Sequence, residues 1–170
     1  MERAKMNIFF LDKTPYKAAL ALCDKHVPKM LLESCQMLST AVQANAEKEF
    51  DNLYKPAYPK HPMTIWVGHT RQNFIWALEN AVYINHQYEQ RFNKEHKSFR
   101  IIEAIYDNKY ANKIKKVMHK DYISEPPQCM PDEYKDKDYI TAYRKYYQGA
   151  KAYFAKWEKG VFAPEWWVSA

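Results

Sequence analysis

Residues 24–44 read DKHVPKMLLESCQMLSTAVQA, and this stretch decides the fold class. Asp24 belongs to the residue types that cap helix N-termini, and Pro28 is tolerated in a first helical turn. Apolar side chains of the stretch can reach a core from several faces, while polar side chains share another face. The stretch therefore predicts a long amphipathic α-helix that begins at Asp24 and ends near Ala44.

The polar face of this helix is a single row. His26, Lys29, Glu33, Gln36 and Thr40 follow one another at steps of three and four residues. One interpretation is the solvated face of an amphipathic helix. The other is the wall of a cleft, where a cation of the row binds an anion and Glu33 acts as a base or holds a ribose hydroxyl. On the second interpretation, Glu33 and His26 are the candidate catalytic residues, and Lys29 is a candidate phosphate contact.

Cap residues elsewhere in the chain predict further helices. These would begin at Thr14–Pro15, at His61–Pro62, at Thr70 and at Asp138, and the last two would end near Asn93 and Lys159. Residues 98–119 predict one broken helix or two shorter ones. Two proline-containing stretches, 47–60 and 121–137, are predicted to be loops.

Both ends of the chain carry apolar side chains. Residues 6–11 are predicted to be extended and to lead into the core. Trp166 and Trp167 make the last ten residues too aromatic for a free end, and we expect them to dock on the body. Residues 1–5 are predicted to be a flexible extension.

The composition fits an all-α protein with a single compact multi-helix domain, residues 1–170. The chain has 14 Tyr, 8 Phe and 5 Trp but only 3 Gly, which favours helices over a hairpin-rich sheet protein. Its three cysteines suit a reducing compartment better than a disulfide framework. No apolar run approaches the ~20 residues of a membrane span, so we expect a cytoplasmic protein.

The net charge of +6 attracts polyanions. Nucleic acid, nucleotides and anionic membranes are all candidates on charge alone. We expect a nucleotide or nucleic acid as partner, and no membrane. The chain has no glycine-rich phosphate loop and no His or Cys pair at metal-binding spacing, so we predict no cofactor and no metal. The oligomeric state is left open.

Further candidate ligand-binding residues lie at basic and aromatic positions of the other helices. They are His61 and Trp66; Arg71 and Asn73; Arg91, Lys94, His96 and Lys97; and Arg144, Tyr147 and Lys151. For Trp66, a place in the core is the favoured alternative to stacking on a base. The four residues from 91 to 97 fit either a phosphate site or the negative end of a helix dipole. The last three fit either a wall over a nucleotide or charged tips above an aromatic core.

Short motifs are spread over nearly the whole chain. They are DKHxxK at residue 24, QMLSTA at 36, HPxTIW at 61, RxxKxHK at 91, YRxYY at 143 and PEWW at 164. Together they resemble a family of small uncharacterised proteins encoded by tailed bacteriophages. The resemblance implies a phage origin, with the cytoplasm of the infected bacterium as the location, and it implies no particular activity.

A second resemblance rests on Asp24, His26 and Glu33. An early Asp-x-His with a Glu seven residues after the His is similar to the pyrimidine dimer DNA glycosylases, which are small, basic and all-helical. A central His before an apolar helix and an aromatic C-terminus with Pro-x-Trp are similar too. The resemblance implies a catalytic carboxylate at Glu33, a pocket residue at His26 and a phosphate contact at Lys29.

The chain departs from those enzymes at its start. They use as nucleophile the amine of a small residue that is exposed when the first methionine is removed. Here a large residue follows either candidate start, Glu2 after Met1 and Asn7 after Met6. We therefore expect no Schiff-base step by that route, and a pocket for a flipped base or nucleotide remains.

Two hypotheses about function follow, nearly level, and a third ranks below them. The first is an enzyme acting on DNA or nucleotides, glycosylase-like or nucleotide-processing, with Glu33 as general acid or base. The second is an anti-defence protein that sequesters a nucleotide immune signal, such as a cyclic nucleotide or an ADP-ribose derivative, without chemistry. The third is an assembly accessory whose polar rows are only surfaces.

Overall fold

The computed structural model describes residues 6–113 and 120–169. Within those ranges the regular structure is helical and no strand occurs, which confirms the predicted fold class. The helices are α1 (Pro15–Ala21), α2 (His26–Ala46), α3 (Pro62–His69), α4 (Arg71–Phe92), α5 (Phe99–Asp107), α6 (Tyr110–Lys113) and α7 (Tyr139–Tyr146). A 3₁₀ turn covers Asp132–Tyr134 and a π-helical turn covers Tyr147–Lys151. The predicted extension, residues 1–5, lies outside the described residues, as does the end of the segment predicted for 98–119.

Helices α2 and α4 form the centre of the fold and pack against each other. Helix α1 packs on α4, and α3 packs on both. Helix α4 begins as predicted, because the Thr70 hydroxyl oxygen accepts the Asn73 N–H at 3.0 Å. It ends at Asn93, whose left-handed backbone, with φ of 53°, stops the helix. None of the described helices is long and apolar enough to cross a membrane.

The N-terminal segment, residues 6–11, has no regular secondary structure and is buried, so it leads into the core as predicted. The ring centroid of Phe10 lies 4.6 Å from that of Trp76 and 5.3 Å from that of Trp66. The ring centroid of Phe9 lies 4.9 Å from that of His26 on α2 and 5.9 Å from that of Tyr143 on α7. The segment therefore runs between the central helices and the C-terminal helix, and its backbone groups lie inside the protein.

Asp24 does not cap α2, contrary to the prediction. The helix begins at His26, and its N-cap residue, Lys25, makes no side-chain cap bond. Asp24 instead pairs with Arg91 of α4 at 3.3 Å and accepts the Glu158 N–H at 2.7 Å. Because the Arg91 side chain is fully buried, its charge requires a carboxylate partner, and that requirement outweighs the modest gain from a helix cap.

The last helix is shorter than predicted. Asp138 caps α7 as expected, but the regular α-helix ends at Tyr146 and does not continue to residue 159. Beyond the π-helical turn, the indole N–H of Trp157 donates to the Ala21 carbonyl at 3.1 Å, and the Asp24 N–H donates to the Lys156 carbonyl at 2.8 Å. These contacts fold residues 152–159 back onto the junction of α1 and α2, a path that a straight helix would not follow.

The C-terminal tail docks on the body, which confirms the prediction. Trp166 and Trp167 are half-buried, with ring centroids 6.3 Å and 6.2 Å from that of Tyr147. The Gln148 side chain and the Val168 backbone exchange two hydrogen bonds, at 2.8 Å and 2.9 Å. The tail therefore covers the outer side of the π-helical turn.

Replacing Arg91 by Met should destabilise the protein strongly. The guanidinium donates to the carbonyls of Leu20 and Leu22 as well as pairing with Asp24, and its loss leaves the two carbonyls without this donor and the Asp24 charge without its partner. We expect the free energy of unfolding, measured by urea denaturation, to fall by about 3–5 kcal/mol. Lys17→Met, at an exposed position of α1, is the control and should change it by less than about 0.5 kcal/mol. Equal values for the two variants would contradict this account of the α2–α4 junction.

Candidate functional site

Glu33 is a buried carboxylic acid in the middle of α2. Only 6% of the residue is exposed, and its Oε1 accepts the backbone N–H of Asn7 at 3.2 Å. Burial raises the pKa of Glu33 from 4.5 to about 7, against the opposing effects of Lys29, the Asn7 N–H and Lys151. The acid is therefore about half ionised at neutral pH, where it can take up or release a proton.

His26 lies two helical turns before Glu33 on the same face, and it is buried. Its Nδ1 is 3.0 Å from the Tyr147 hydroxyl, and its ring packs against those of Phe9 and Phe154. Burial lowers the pKa of His26 to about 3, with smaller contributions from nearby lysines. The imidazole is therefore neutral at physiological pH, and its contacts are with the Tyr147 hydroxyl and two aromatic rings.

Asn7 holds the N-terminal segment against Glu33. While its backbone N–H donates to that carboxylate, its side-chain amide donates to the Cys129 carbonyl at 2.9 Å. Its Oδ1 accepts from the Tyr143 hydroxyl at 2.9 Å and from the Ile8 N–H at 3.0 Å. Sequence reasoning missed Asn7, and the one available signal was a single polar residue inside the apolar run 6–11.

Two lysines complete the arrangement. Lys29 is exposed and lies one turn before Glu33 on α2. Lys151 closes the π-helical turn, with its Nζ 4.9 Å from the ring centroid of Tyr146 and 5.9 Å from that of Phe9. A π-helical turn aligns residues five apart, which brings Lys151 over Tyr146. Both ammonium groups act on the pKa of Glu33 and on that of His26. We call these five residues, Asn7, His26, Lys29, Glu33 and Lys151, the Glu33 cluster.

The polar row of α2 is not a solvated face. His26, Glu33 and Thr40 are buried, Gln36 is half-buried, and Lys29 alone is exposed. Thr40 is committed to structure, because its hydroxyl donates to the Gln36 carbonyl at 2.8 Å and accepts the N–H of residue 57 at 3.0 Å. The part of the row that could take part in a reaction is therefore its first half, His26 to Glu33.

Trp66 and Asn73 lie in the core and are not available to a ligand. The indole N–H of Trp66 donates to the Ser124 carbonyl at 3.0 Å. Asn73, fully buried, donates to the Trp66 carbonyl at 2.9 Å and accepts the Ser124 N–H at 2.9 Å. The two side chains fasten residue 124 to α3 and α4. Neither is placed for the stacking or phosphate contact proposed from the sequence.

His61 also has a structural role. Its Nδ1 accepts the Met63 N–H at 3.1 Å, so the side chain itself caps α3 where an anion was considered. Arg71 is half-buried at the start of α4, and its backbone N–H donates to the Lys120 carbonyl at 3.2 Å.

Two of the three predicted ligand-binding arginines, Arg91 and Arg144, are bonded to internal partners. Arg91 is buried and bonded as described above, so it cannot reach a phosphate. Arg144 is half-buried; it donates to the Leu11 carbonyl at 2.9 Å, pairs with Asp12 at 3.3 Å and lies over the Trp166 ring. Tyr147 is buried and accepts the Cys23 N–H at 3.0 Å. Lys151 is thus close enough to Glu33 and His26 to shift the pKa of each. Arg144 instead contacts residues 11 and 12 of the N-terminal part of the chain.

The basic cluster after α4 lies on the surface. Lys94 and Lys97 are exposed, while the His96 ring is fixed by the Pro28 carbonyl at 3.1 Å and by the Ser98 N–H at 3.0 Å. His96 and Lys97 line a surface depression of about 470 Å³; the others that line it are Tyr54, Glu95, Arg100 and Glu103. Its mixed charges do not single out an anion.

No family model, curated protein or solved structure is significantly similar to this chain. The resemblances drawn from the sequence motifs therefore stay predictions.

The pH dependence of stability should report on Glu33. Because the folded protein holds the Glu33 proton more tightly than the unfolded chain does, the free energy of unfolding falls as the pH rises from 4.5 through about 7. Glu33→Gln removes this loss and keeps an acceptor for Asn7. Relative to the wild type, the variant should gain roughly 3 kcal/mol between pH 4 and pH 8.5 in urea denaturation.

The control for this measurement is Glu79→Gln on the exposed side of α4. The gain of Glu33→Gln with rising pH should exceed any change seen in this control. His26 acts in the opposite direction, since its lowered pKa reduces the free energy of unfolding as the pH falls from 6.5 towards 3. This effect is the same in the wild type, Glu33→Gln and Glu79→Gln, so it cancels in the differences. A Glu33→Gln difference that stays constant across the range would refute a neutral-range pKa for Glu33.

Proposed function

We propose that this is a phage protein that binds a nucleotide unit, free or in a strand, at the Glu33 cluster. Glu33 acts there as general base in the hydrolysis of the N-glycosidic bond. The observation that carries the proposal is a buried carboxylate with a pKa of about 7, set between two lysines. A base at such a pKa is matched to proton transfer at physiological pH, and such groups concentrate at functional sites.

The surroundings of Glu33 suit an anionic, aromatic ligand. Lys29 and Lys151 supply positive charge for phosphate, and the chain as a whole carries a net charge of +6. The half-buried ring of Tyr146 lies beside Lys151, and that of Phe154 lies beside Lys25, at 5.0 Å from ring centroid to Nζ. Rings and cations together are what a nucleotide requires for stacking and for charge neutralisation. The resemblance to the pyrimidine dimer DNA glycosylases supports the same ligand class.

The chemistry follows from the ionisation of Glu33. Its carboxylate takes a proton from a water molecule, and the water oxygen bonds to the anomeric carbon of the sugar. The bond from that carbon to the base nitrogen breaks, and the base leaves with the electron pair and takes a proton from solvent. Positive charge that builds up on the sugar in the transition state is stabilised by the same carboxylate. His26, which is neutral and hydrogen-bonded to the Tyr147 hydroxyl, keeps the rings of Phe9 and Phe154 in place.

One observation favours a second candidate function. Of the two groups of the Glu33 cluster with a shifted pKa, His26 is held neutral and Glu33 is expected to change charge near pH 7. A site with a single acid–base group is also suited to binding without turnover. The second candidate is therefore sequestration of a nucleotide signal of host defence, with the same lysines holding its phosphates.

Activity assays separate the two functions. Purified protein is mixed with damaged or base-modified DNA, and separately with cyclic nucleotides and ADP-ribose-type ligands, and released bases and unchanged ligand are quantified by chromatography. We expect base release that rises with pH through a midpoint near 7 and falls by at least about 100-fold in Glu33→Gln. Glu79→Gln should retain full activity.

Two other outcomes of the assay are informative. Stoichiometric binding of a ligand that stays intact, equal in Glu33→Gln and the wild type, would overturn the hydrolase and support sequestration. Neither product nor binding with every ligand would overturn both functions.

A further inference from the structure

Exposed lysines surround the place where α2 begins, α4 ends and residues 152–159 fold back. The Asp24 N–H donates to the Lys156 carbonyl at 2.8 Å, which ties the returning chain to the start of α2. The His96 ring lies 3.1 Å from the Pro28 carbonyl, which ties the segment after α4 to the same place. We call this surface the lysine face; its exposed basic residues are Lys25, Lys29, Lys94, Lys156 and Lys159.

An aromatic path leads across the lysine face to the Glu33 cluster. Tyr153 is 86% exposed, so its ring is free to stack on a partner. Its ring centroid lies 4.9 Å from that of Phe154, which in turn lies 5.2 Å from that of His26. The outer end of the path is thus the solvent-exposed ring of Tyr153, and its inner end is His26, a member of the Glu33 cluster.

The lysines of this face keep their charge available. The ion pairs of residues 6–113 and 120–169 involve none of them. Two instead lie over rings, Lys25 at 5.0 Å from the Phe154 centroid and Lys159 at 5.1 Å from that of Phe92. Exposed glutamates of the region, Glu89, Glu95 and Glu158, are fewer than its lysines. The face therefore presents net positive charge on several chain segments.

We infer that the lysine face binds an unpaired nucleic-acid strand, with Tyr153 stacking on a base and the lysines neutralising successive phosphates. A single nucleotide would engage only the cations next to the Glu33 cluster, and it would leave Tyr153 and Lys159 without a role. An exposed ring beside lysines fits unstacked bases, which offer a free π-face, better than it fits a closed duplex. The inference rests on the proposed function, since it names the form in which the nucleotide unit arrives.

Binding can be measured without turnover in the full-length Glu33→Gln protein. The probes are a fluorescein-labelled 20-residue oligothymidylate and a hairpin duplex, and the readout is fluorescence anisotropy at several salt concentrations. Two variants are added to this background: Tyr153→Ala, and Lys25, Lys156 and Lys159 all changed to Gln. The matched controls are Tyr122→Ala and a triple change of the exposed Lys17, Lys55 and Lys60 to Gln.

The expected result is binding of the single strand that is tighter than binding of the duplex. Tyr153→Ala should weaken strand binding about tenfold at every salt concentration, because stacking is lost. The lysine triple change should weaken it further and reduce the slope of log K against log salt by about 2, because fewer counterions are released. Both controls should match their background. The inference would be overturned if the Tyr153 and lysine variants bound the strand as tightly as their controls do, or if the protein preferred the duplex.

Failure of the inference can be told from failure of the proposed function. If the oligothymidylate does not bind while free nucleotides are hydrolysed in a Glu33-dependent manner, the lysine face is overturned and the hydrolase stands. If the strand binds with the dependence on Tyr153 and the lysines described above but no base is released from any substrate, the hydrolase is overturned and the strand-binding face stands.

Discussion

The hydrogen bond from the backbone N–H of Asn7 to the Glu33 carboxylate is the contact on which the candidate site depends. A carboxylic acid this deeply buried loses hydration and must find other donors. The donor is present because Phe9 and Phe10 fill the core, which draws the segment 6–11 between α2 and α7. The packing that builds the core is therefore also what buries the acid, raises its pKa and brings it close to neutrality.

Arginines and lysines have different places in this structure: two arginines are bonded inside the fold, and the lysines at the start of α2 are exposed. Arg91 and Arg144 are each paired with an aspartate and donate to backbone carbonyls, so both serve the fold. A guanidinium presents several donors in a fixed plane, which suits such multiple internal bonds. Within the described ranges, Lys25 and Lys29 at the start of α2 belong to no ion pair; both are exposed, and Lys25 lies over the Phe154 ring. A cationic surface next to a buried acid results, and it is the combination that a phosphate-bearing substrate with an acid–base step requires.

The sequence predicts helices and their caps well where the signals are local, as at Thr14, His61, Thr70 and Asp138. It fails where a distant partner competes for a residue. Asp24 carries the signature of a cap, yet the buried charge of Arg91, 67 residues away, takes it. The same limit applies to the site: the spacing of His26, Lys29 and Glu33 is visible along the helix, whereas the approach of Asn7 and Lys151 depends on tertiary packing. A π-helical turn, which places Lys151, has no comparable signal in composition or periodicity.

The most direct test of this account is the ionisation of Glu33 itself. Carbon-13 NMR of the glutamate side-chain carboxyls, with the Glu33 signal assigned from its absence in Glu33→Gln, follows the protonation of this one group as the pH is varied. The account predicts a titration midpoint near pH 7 for Glu33 in the folded protein, well above the ordinary glutamate value of 4.5. A midpoint at or below 4.5 would contradict it, because the carboxylate would then be fixed in its ionised form and could not exchange a proton at neutral pH.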